Sequence, residues 1–162
     1  MLDACERLWA GGDKFSLHLI GLANAQTGAT ALARIRALQS AGRPLRYDGP
    51  VSDAEVAAAY AASTFTVYPS LIEGFGLPVI ESLAHGKPCI CSARGALGES
   101  AGGGCVALET VDASSLSGAI ARLVRAPGKI AVLSEQARAR RFKAWLDYAG
   151  ELITWMSALP RR

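Results

Sequence analysis

The amino-acid sequence predicts an α/β domain: a doubly wound, Rossmann-like parallel sheet with helices on both faces. Two observations carry this. Apolar runs of strand length alternate with stretches of helical spacing, in the order α-β-α-β-α-β-α-β-loop-β-α-α-α. Alternation of this kind makes a parallel sheet joined by right-handed crossover helices. The 162 residues, 51% of them hydrophobic, also suffice for a single core, and no internal repeat or low-complexity linker divides residues 1–162.

The elements follow from the chain in order. Leu2 to Ala10 predicts a helix with Leu2, Cys5, Leu8 and Trp9 on one face, ended by Gly11-Gly12. Phe15 to Ile20 predicts a strand, with His18 at the edge of the core rather than as a ligand. Gly21 to Gly28 reads as a polar loop, and Thr30 to Ala41 as a helix with Leu32, Ile35 and Leu38 apolar. Leu45 to Tyr47 is a short strand. Ser52-Asp53-Ala54-Glu55 is a capping-box pattern that opens an alanine-rich helix to about Ala62.

The stretch Phe65 to Ser92 organises the rest. Phe65-Thr66-Val67-Tyr68 is a β-branched and aromatic strand closed by Pro69. Leu77 to His85 is a helix with Pro78 in its first turn, Gly86 as its stop and Pro88 preventing continuation. Cys89-Ile90-Cys91 restarts a buried strand. The glycine-rich segment from Ala93 to Gly104 reads as a loop, and Cys105 to Leu108 as the last strand. Asp112 caps a helix to Arg125, Pro127-Gly128 breaks it, and Lys129 to Arg141 is the next helix. Ala144 to Leu159 is the last. Its stripe of Trp145, Tyr148, Leu152, Trp155 and Met156 has the spacing of a packing face.

The candidate chemistry lies where the loop Glu73–Gly76 meets the helix. Unpaired amides of a first helical turn and adjacent glycines can face an anion, with the helix dipole behind them. Pro78 has no N–H, so the donors are expected from Gly74, Phe75, Gly76, Leu77 and Val79. Glu73 precedes this nest. Glu81 stands about one turn, roughly 5 Å, beyond it. There a carboxylate can accept two hydroxyl hydrogen bonds from a sugar attached to a bound phosphate.

Several function classes are excluded. A formal net charge of +3 with dispersed Lys and Arg does not argue for nucleic acid. Arg138, Arg140, Arg141 and Lys143 form one basic cluster on a predicted helix. It reads as a solvated face, with a membrane-surface contact as the sharper alternative. Four cysteines lack metal spacing and fit a reduced, cytoplasmic setting. No apolar run is long enough to span a bilayer, and Leu2-Asp3-Ala4-Cys5 after Met1 is no signal peptide. Gly74-x-Gly76 opens like a dinucleotide fingerprint, but Val79 stands where its last glycine should be, and Glu81 comes too early. No Gly-x-Ser-x-Gly elbow exists, and the two histidines have no zinc spacing.

Glu73 and Glu81, separated by seven residues that include Gly-Phe-Gly-Leu-Pro, resemble the signature of retaining family 4 glycosyltransferases of the GT-B fold, the glycosyl transferases group 1. Tyr68-Pro69-Ser70 before the pair and Ala84-His85-Gly86-Lys87-Pro88 after it fit the same pattern. The competing reading is a surface glutamate pair on an ordinary βαβ unit. The resemblance implies that Glu73 faces the donor sugar near its reacting carbon, that Glu81 binds the ribose, and that the amides of Gly74, Phe75, Gly76 and Leu77 hold the pyrophosphate. Tyr47-Asp48-Gly49-Pro50-Val51 matches the base-binding loop less specifically, which brings in Gly49 and Val51. The implied reaction moves a hexose from a nucleotide diphosphate sugar to a glycan or lipid-linked acceptor. It retains configuration and has no cofactor and no obligatory metal.

The resemblance covers nearly all of residues 1–162 but only the C-terminal half of such an enzyme. The acceptor-binding N-terminal domain is expected to be missing. So is the first, central strand, with the arginine and lysine that usually follow it. The strands Phe15–Ile20 and Phe65–Tyr68 then either pair directly or leave a gap in the sheet. The chain alone is therefore expected not to transfer sugar, and a non-catalytic nucleotide-binding or interaction module is the alternative.

Overall fold

The computed structural model describes residues 1–26 and 28–159. Thr27, inside the expected Gly21–Gly28 loop, and residues 160–162, at the end of the expected 1–162 domain, lie outside the described residues. The elements are α1 (Leu2–Ala10), β1 (Leu17–Leu19), α2 (Gly28–Ser40), β2 (Leu45–Tyr47), α3 (Asp53–Ala62), β3 (Thr66–Tyr68), α4 (Leu77–Ala84), β4 (Cys89–Ser92), α5 (Gly95–Ser100), β5 (Cys105–Leu108), α6 (Ala113–Val124), α7 (Pro127–Ala139) and α8 (Trp145–Ser157). The α/β order and the parallel pairing are those expected of a doubly wound domain.

The strands form two parallel sheets. One joins β1 to β2, with Leu17 opposite Leu45. The other has the order β3-β4-β5, with Val67 opposite Ile90 and Ile90 opposite Val106. Among the described residues β1 and β3 do not pair, so of the two expected arrangements the gap is the one observed. A single apolar cluster still underlies both sheets. It includes Cys5, Leu8, Ile35, Leu45 and Ile90 as buried members, with Leu17, Leu19 and Val67 packed against them. The α1 face of Ala4, Cys5 and Leu8 meets Leu116, Ala119, Ile120 and Leu123 of α6 in this cluster. Arg125, just past α6, donates from Nε and Nη2 to both oxygens of Asp13, each at 2.7 Å.

Caps place the helices around the site. Glu55 N–H donates to Ser52 Oγ, and the Glu55 carboxylate accepts from Ser52 N–H at 2.8 Å, closing the expected capping box of α3. At the end of α4, Gly86 adopts φ +67°. Its N–H donates to Leu83 O at 2.8 Å and that of Lys87 to Ser82 O at 2.9 Å, a left-handed stop that only glycine adopts readily.

Four expectations are corrected. The Ala93–Gly104 segment is not all loop: α5 occupies its middle, because Leu97 is buried and anchors the turn, while Gly98 lets the helix approach Ala93. Helix α7 begins at Pro127 itself, since proline is tolerated at a first helical position, so Pro127-Gly128 opens a helix as well as ending one. Helix α2 begins at Gly28 rather than Thr30. The aromatic stripe of α8 is not packed: the helix has no buried residue, and Trp145 and Trp155 are 85% and 61% exposed.

Candidate functional site

The loop between β3 and α4 carries the predicted glutamate and glycines. Gly76 caps α4 with φ +83°, and a Cβ there would lie 2.6 Å from Leu97 Cδ2. Glycine is therefore required twice, by conformation and by the closeness of α5. Behind the loop, Val79, Leu83, Cys89, Cys91, Leu97 and Ala137 form a second apolar cluster that fixes α4 and α5 on the β4 strand.

Hydrogen bonds set the direction of the loop's peptide planes. Ser100 Oγ donates to Phe75 O at 3.1 Å, and Arg140 Nη1 donates to Ser100 O at 2.9 Å, tying the loop through α5 to the end of α7. Val79 N–H donates to Gly76 O at 3.0 Å. In a trans peptide the N–H points opposite to its C=O. Holding the Phe75 and Gly76 carbonyls therefore turns the N–H groups of Gly76 and Leu77 the other way. Among the described residues the amides of Gly74, Phe75, Gly76 and Leu77 have no intramolecular acceptor. Val79 is a correction: its amide is engaged with Gly76 and is not a free donor, because the first turn of α4 closes on its own cap.

Each glutamate is held by a tyrosine. Tyr68 Oη donates to Glu73 Oε1 at 2.7 Å, and Tyr60 Oη donates to Glu81 Oε2 at 3.1 Å. The Tyr68 bond, aided by Ser70, holds the Glu73 carboxyl below the usual range. Burial and the bond to Glu73 push the Tyr68 hydroxyl up to about 12. Burial first, and then Glu81, raise that of Tyr60. The Tyr60 ring stacks on His85 with centroids 4.9 Å apart.

Gly49 and Val51 sit on a separate loop, after β2. Gly49 is buried with φ +65°, its carbonyl accepts from Gly21 N–H at 2.8 Å, and Val51 is half-buried. Tyr47 Oη donates to Gly21 O at 2.9 Å, so the loops after β1 and β2 are tied together. No hydrogen bond links them to the Glu73–Leu77 loop among the described residues. On β1, His18 is exposed, and its Nε2 lies 2.8 Å from Asp48 Oδ2. Arg46 first, and then His18, hold the Asp48 carboxyl low. No group of three His, Cys, Asp or Glu among the described residues could hold a metal ion. No helix among them is long and apolar enough to cross a membrane.

The profile of the family described as Glycosyl transferases group 1 matches residues 1–126. The chain belongs to the group 1 glycosyltransferases. Over 110 residues it is 36% identical to the MMP alpha-(1->4)-mannosyltransferase of Mycolicibacterium hassiacum, covering 66% of this chain and 25% of that protein. Over 111 residues it is 34% identical to the O-antigen chain mannosyltransferase B of Escherichia coli, covering 67% of this chain and 29% of that protein. The match thus spans between a quarter and a third of these curated relatives. Among solved structures, the sucrose-phosphate synthase of Thermosynechococcus elongatus superposes with a TM-score of 0.77 at 26% identity, over 97% of this chain and 42% of the synthase. Anabaena HepE, solved with UDP and glucose, superposes with a TM-score of 0.73 at 19% identity, over 89% of this chain and 40% of HepE. The fold is that of the C-terminal domains of GT-B glycosyltransferases.

In this group 1 domain, sequence reasoning missed Tyr60 and Ser100. Neither carries a local signal: their partners lie 21 and 25 residues away, reached only when α3 and α5 fold against α4 and its loop.

Proposed function

We propose that this chain is the donor-binding part of a retaining, family 4 glycosyltransferase that moves a hexose from a nucleotide diphosphate sugar to a glycan or lipid-linked acceptor. The observation that carries the reading is the free amide edge of Gly74 to Leu77 between two tyrosine-held glutamates. A diphosphate suits such an edge, because fixed N–H groups and the α4 dipole meet its charge without reorganising. With the diphosphate there, Glu81 accepts hydrogen bonds from the ribose and Glu73 faces the sugar. Gly49 and Val51 take the base. Two carboxylates with separate targets along one donor differ from a glycosidase pair, which flanks a single bond.

The two mannosyltransferase relatives support a hexose, and the UDP in HepE supports a nucleotide sugar. The acceptor belongs to an N-terminal domain, and the exposed apolar face of α8 is where that domain would rest. The reading places the reaction in the cytoplasm, a reducing setting that the four free cysteines fit.

The test compares turnover of UDP- and GDP-hexoses by residues 1–162 alone and by the same chain joined to the N-terminal domain of a group 1 relative. The reading predicts no transfer by the first, transfer by the second, and a large loss of kcat in its Glu73→Gln variant. Transfer by the chain alone, or a Glu73→Gln fusion with the parental kcat, contradicts it.

A further inference from the structure

We propose that Tyr68 is a positioning residue for Glu73, fixing the carboxylate against the donor sugar through its hydroxyl. The proposal rests on the reading of Glu73 given above. Glu73 lies in a loop with little packing of its own: Leu71, Ile72 and Phe75 around it are 71%, 91% and 61% exposed. A carboxylate on such a loop would sample many orientations, and ordering it on binding would weaken sugar recognition. Tyr68 supplies the main anchor, with Ser70 beside it. It is the last residue of β3, its ring packs against the cluster of Val79, Leu83 and Cys91, and its hydroxyl is 2.7 Å from Glu73 Oε1.

The chemistry suits the role. A phenol donates one hydrogen bond to a carboxylate, whose remaining lone pairs stay available for sugar hydroxyls. The same bond favours the ionised form of Glu73, the form that accepts from hydroxyl groups. A phenylalanine at this position would pack as well on the cluster but would leave the carboxylate to Ser70 alone. The Tyr68 hydroxyl therefore acts on the sugar portion of the donor, and the nucleotide portion does not depend on it.

The experiment uses residues 1–162 with 13C and 15N labels. The Glu73 carboxylate is titrated by carbon-detected NMR. Binding of UDP against UDP-glucose, and of GDP against GDP-mannose, is measured by amide shifts. In Tyr68→Phe the Glu73 titration moves to higher pH. The affinity gained from the sugar falls about tenfold, the scale of one hydrogen bond to a charged group, and nucleoside diphosphate affinity is unchanged. Glu73→Gln loses the same sugar increment, and the double variant loses no more than either alone. A Tyr68→Phe chain that keeps the parental sugar increment, or a double variant whose losses simply add, overturns the proposal while leaving Glu73 in its assigned role. If the parent shows no sugar increment, or if Glu73→Gln leaves it intact, the reading of Glu73 falls and the proposal with it.

Discussion

The Tyr60 hydroxyl donates to Glu81 Oε2 at 3.1 Å while its ring lies on the His85 imidazole, 4.9 Å away and 13° from parallel. Helix α3 thereby holds the carboxylate that α4 projects. Glu81→Gln is expected to weaken nucleoside diphosphate binding by about 10- to 100-fold, the loss of a charge-assisted hydrogen bond. Tyr60→Phe is expected to weaken it less, because the carboxylate remains and only its orientation is released. Calorimetry or NMR titration with UDP and GDP checks both; equal affinities in all three chains would remove Glu81 from the site.

Ser100 is expected to control the same binding from the other side. Ser100→Ala removes the bond to Phe75 O and frees the peptide plane whose N–H belongs to Gly76. Nucleoside diphosphate affinity should fall by roughly fivefold to tenfold, from a bond contributing about 1 kcal/mol, with Tm lowered by only about 2–4 °C. A large loss of Tm with normal affinity would assign Ser100 to stability alone.

Gly76→Ala tests the closeness of the loop to α5. The positive φ and the nearness of Leu97 Cδ2, 2.6 Å from where a Cβ would stand, both oppose a methyl group. Together they are expected to cost about 2–4 kcal/mol, which lowers Tm by roughly 5–15 °C. Thermal denaturation followed by circular dichroism reads this directly.

Much of this architecture is legible in local patterns. The Ser52–Glu55 box, the Asp112 cap, whose carboxylate accepts from Ser115 N–H at 2.7 Å, and the Gly86 stop each close within a few residues. Short-range caps are written in sequence because their partners are. Helix α5 is not legible in this way. Gly95, Gly98 and Gly102 read as a flexible loop, and only burial of Leu97 against Val79 and Leu83 makes the segment helical. The glutamates and glycines of the candidate site stand in one contiguous motif and so are readable. Ser100 and Tyr60 depend on contacts between elements and are not. The engaged Val79 amide escaped because its acceptor depends on the conformation of Gly76.

Stability should decline in acid. The Arg125 hydrogen bond holds the Asp13 carboxyl below its ordinary range, and the Ser52 and Ser115 bonds do the same for Glu55 and Asp112. A carboxylate whose folded pKa is depressed stabilises above its unfolded value, about 4, and loses that contribution as pH falls through the folded one. Urea unfolding should therefore show a stability plateau near neutral pH and a fall below about pH 4. Asp13→Asn should reduce the slope of that fall, and an unchanged slope would mean that the Asp13–Arg125 bond is not maintained in solution.

The central claim is that the amides of Gly74, Phe75, Gly76 and Leu77 receive the diphosphate of a nucleotide sugar. The most direct measurement is an amide NMR titration of residues 1–162 with UDP, GDP and inorganic diphosphate. The account predicts weak, saturable binding, near millimolar or about −4 kcal/mol, with the largest shifts at those four amides. Shifts from the nucleotides, but not from inorganic diphosphate, should extend to Glu81 and to the Gly49–Val51 loop. Saturation at another surface, such as the groove lined by Trp9, Phe15 and Arg43, with the four amides unmoved, would contradict it.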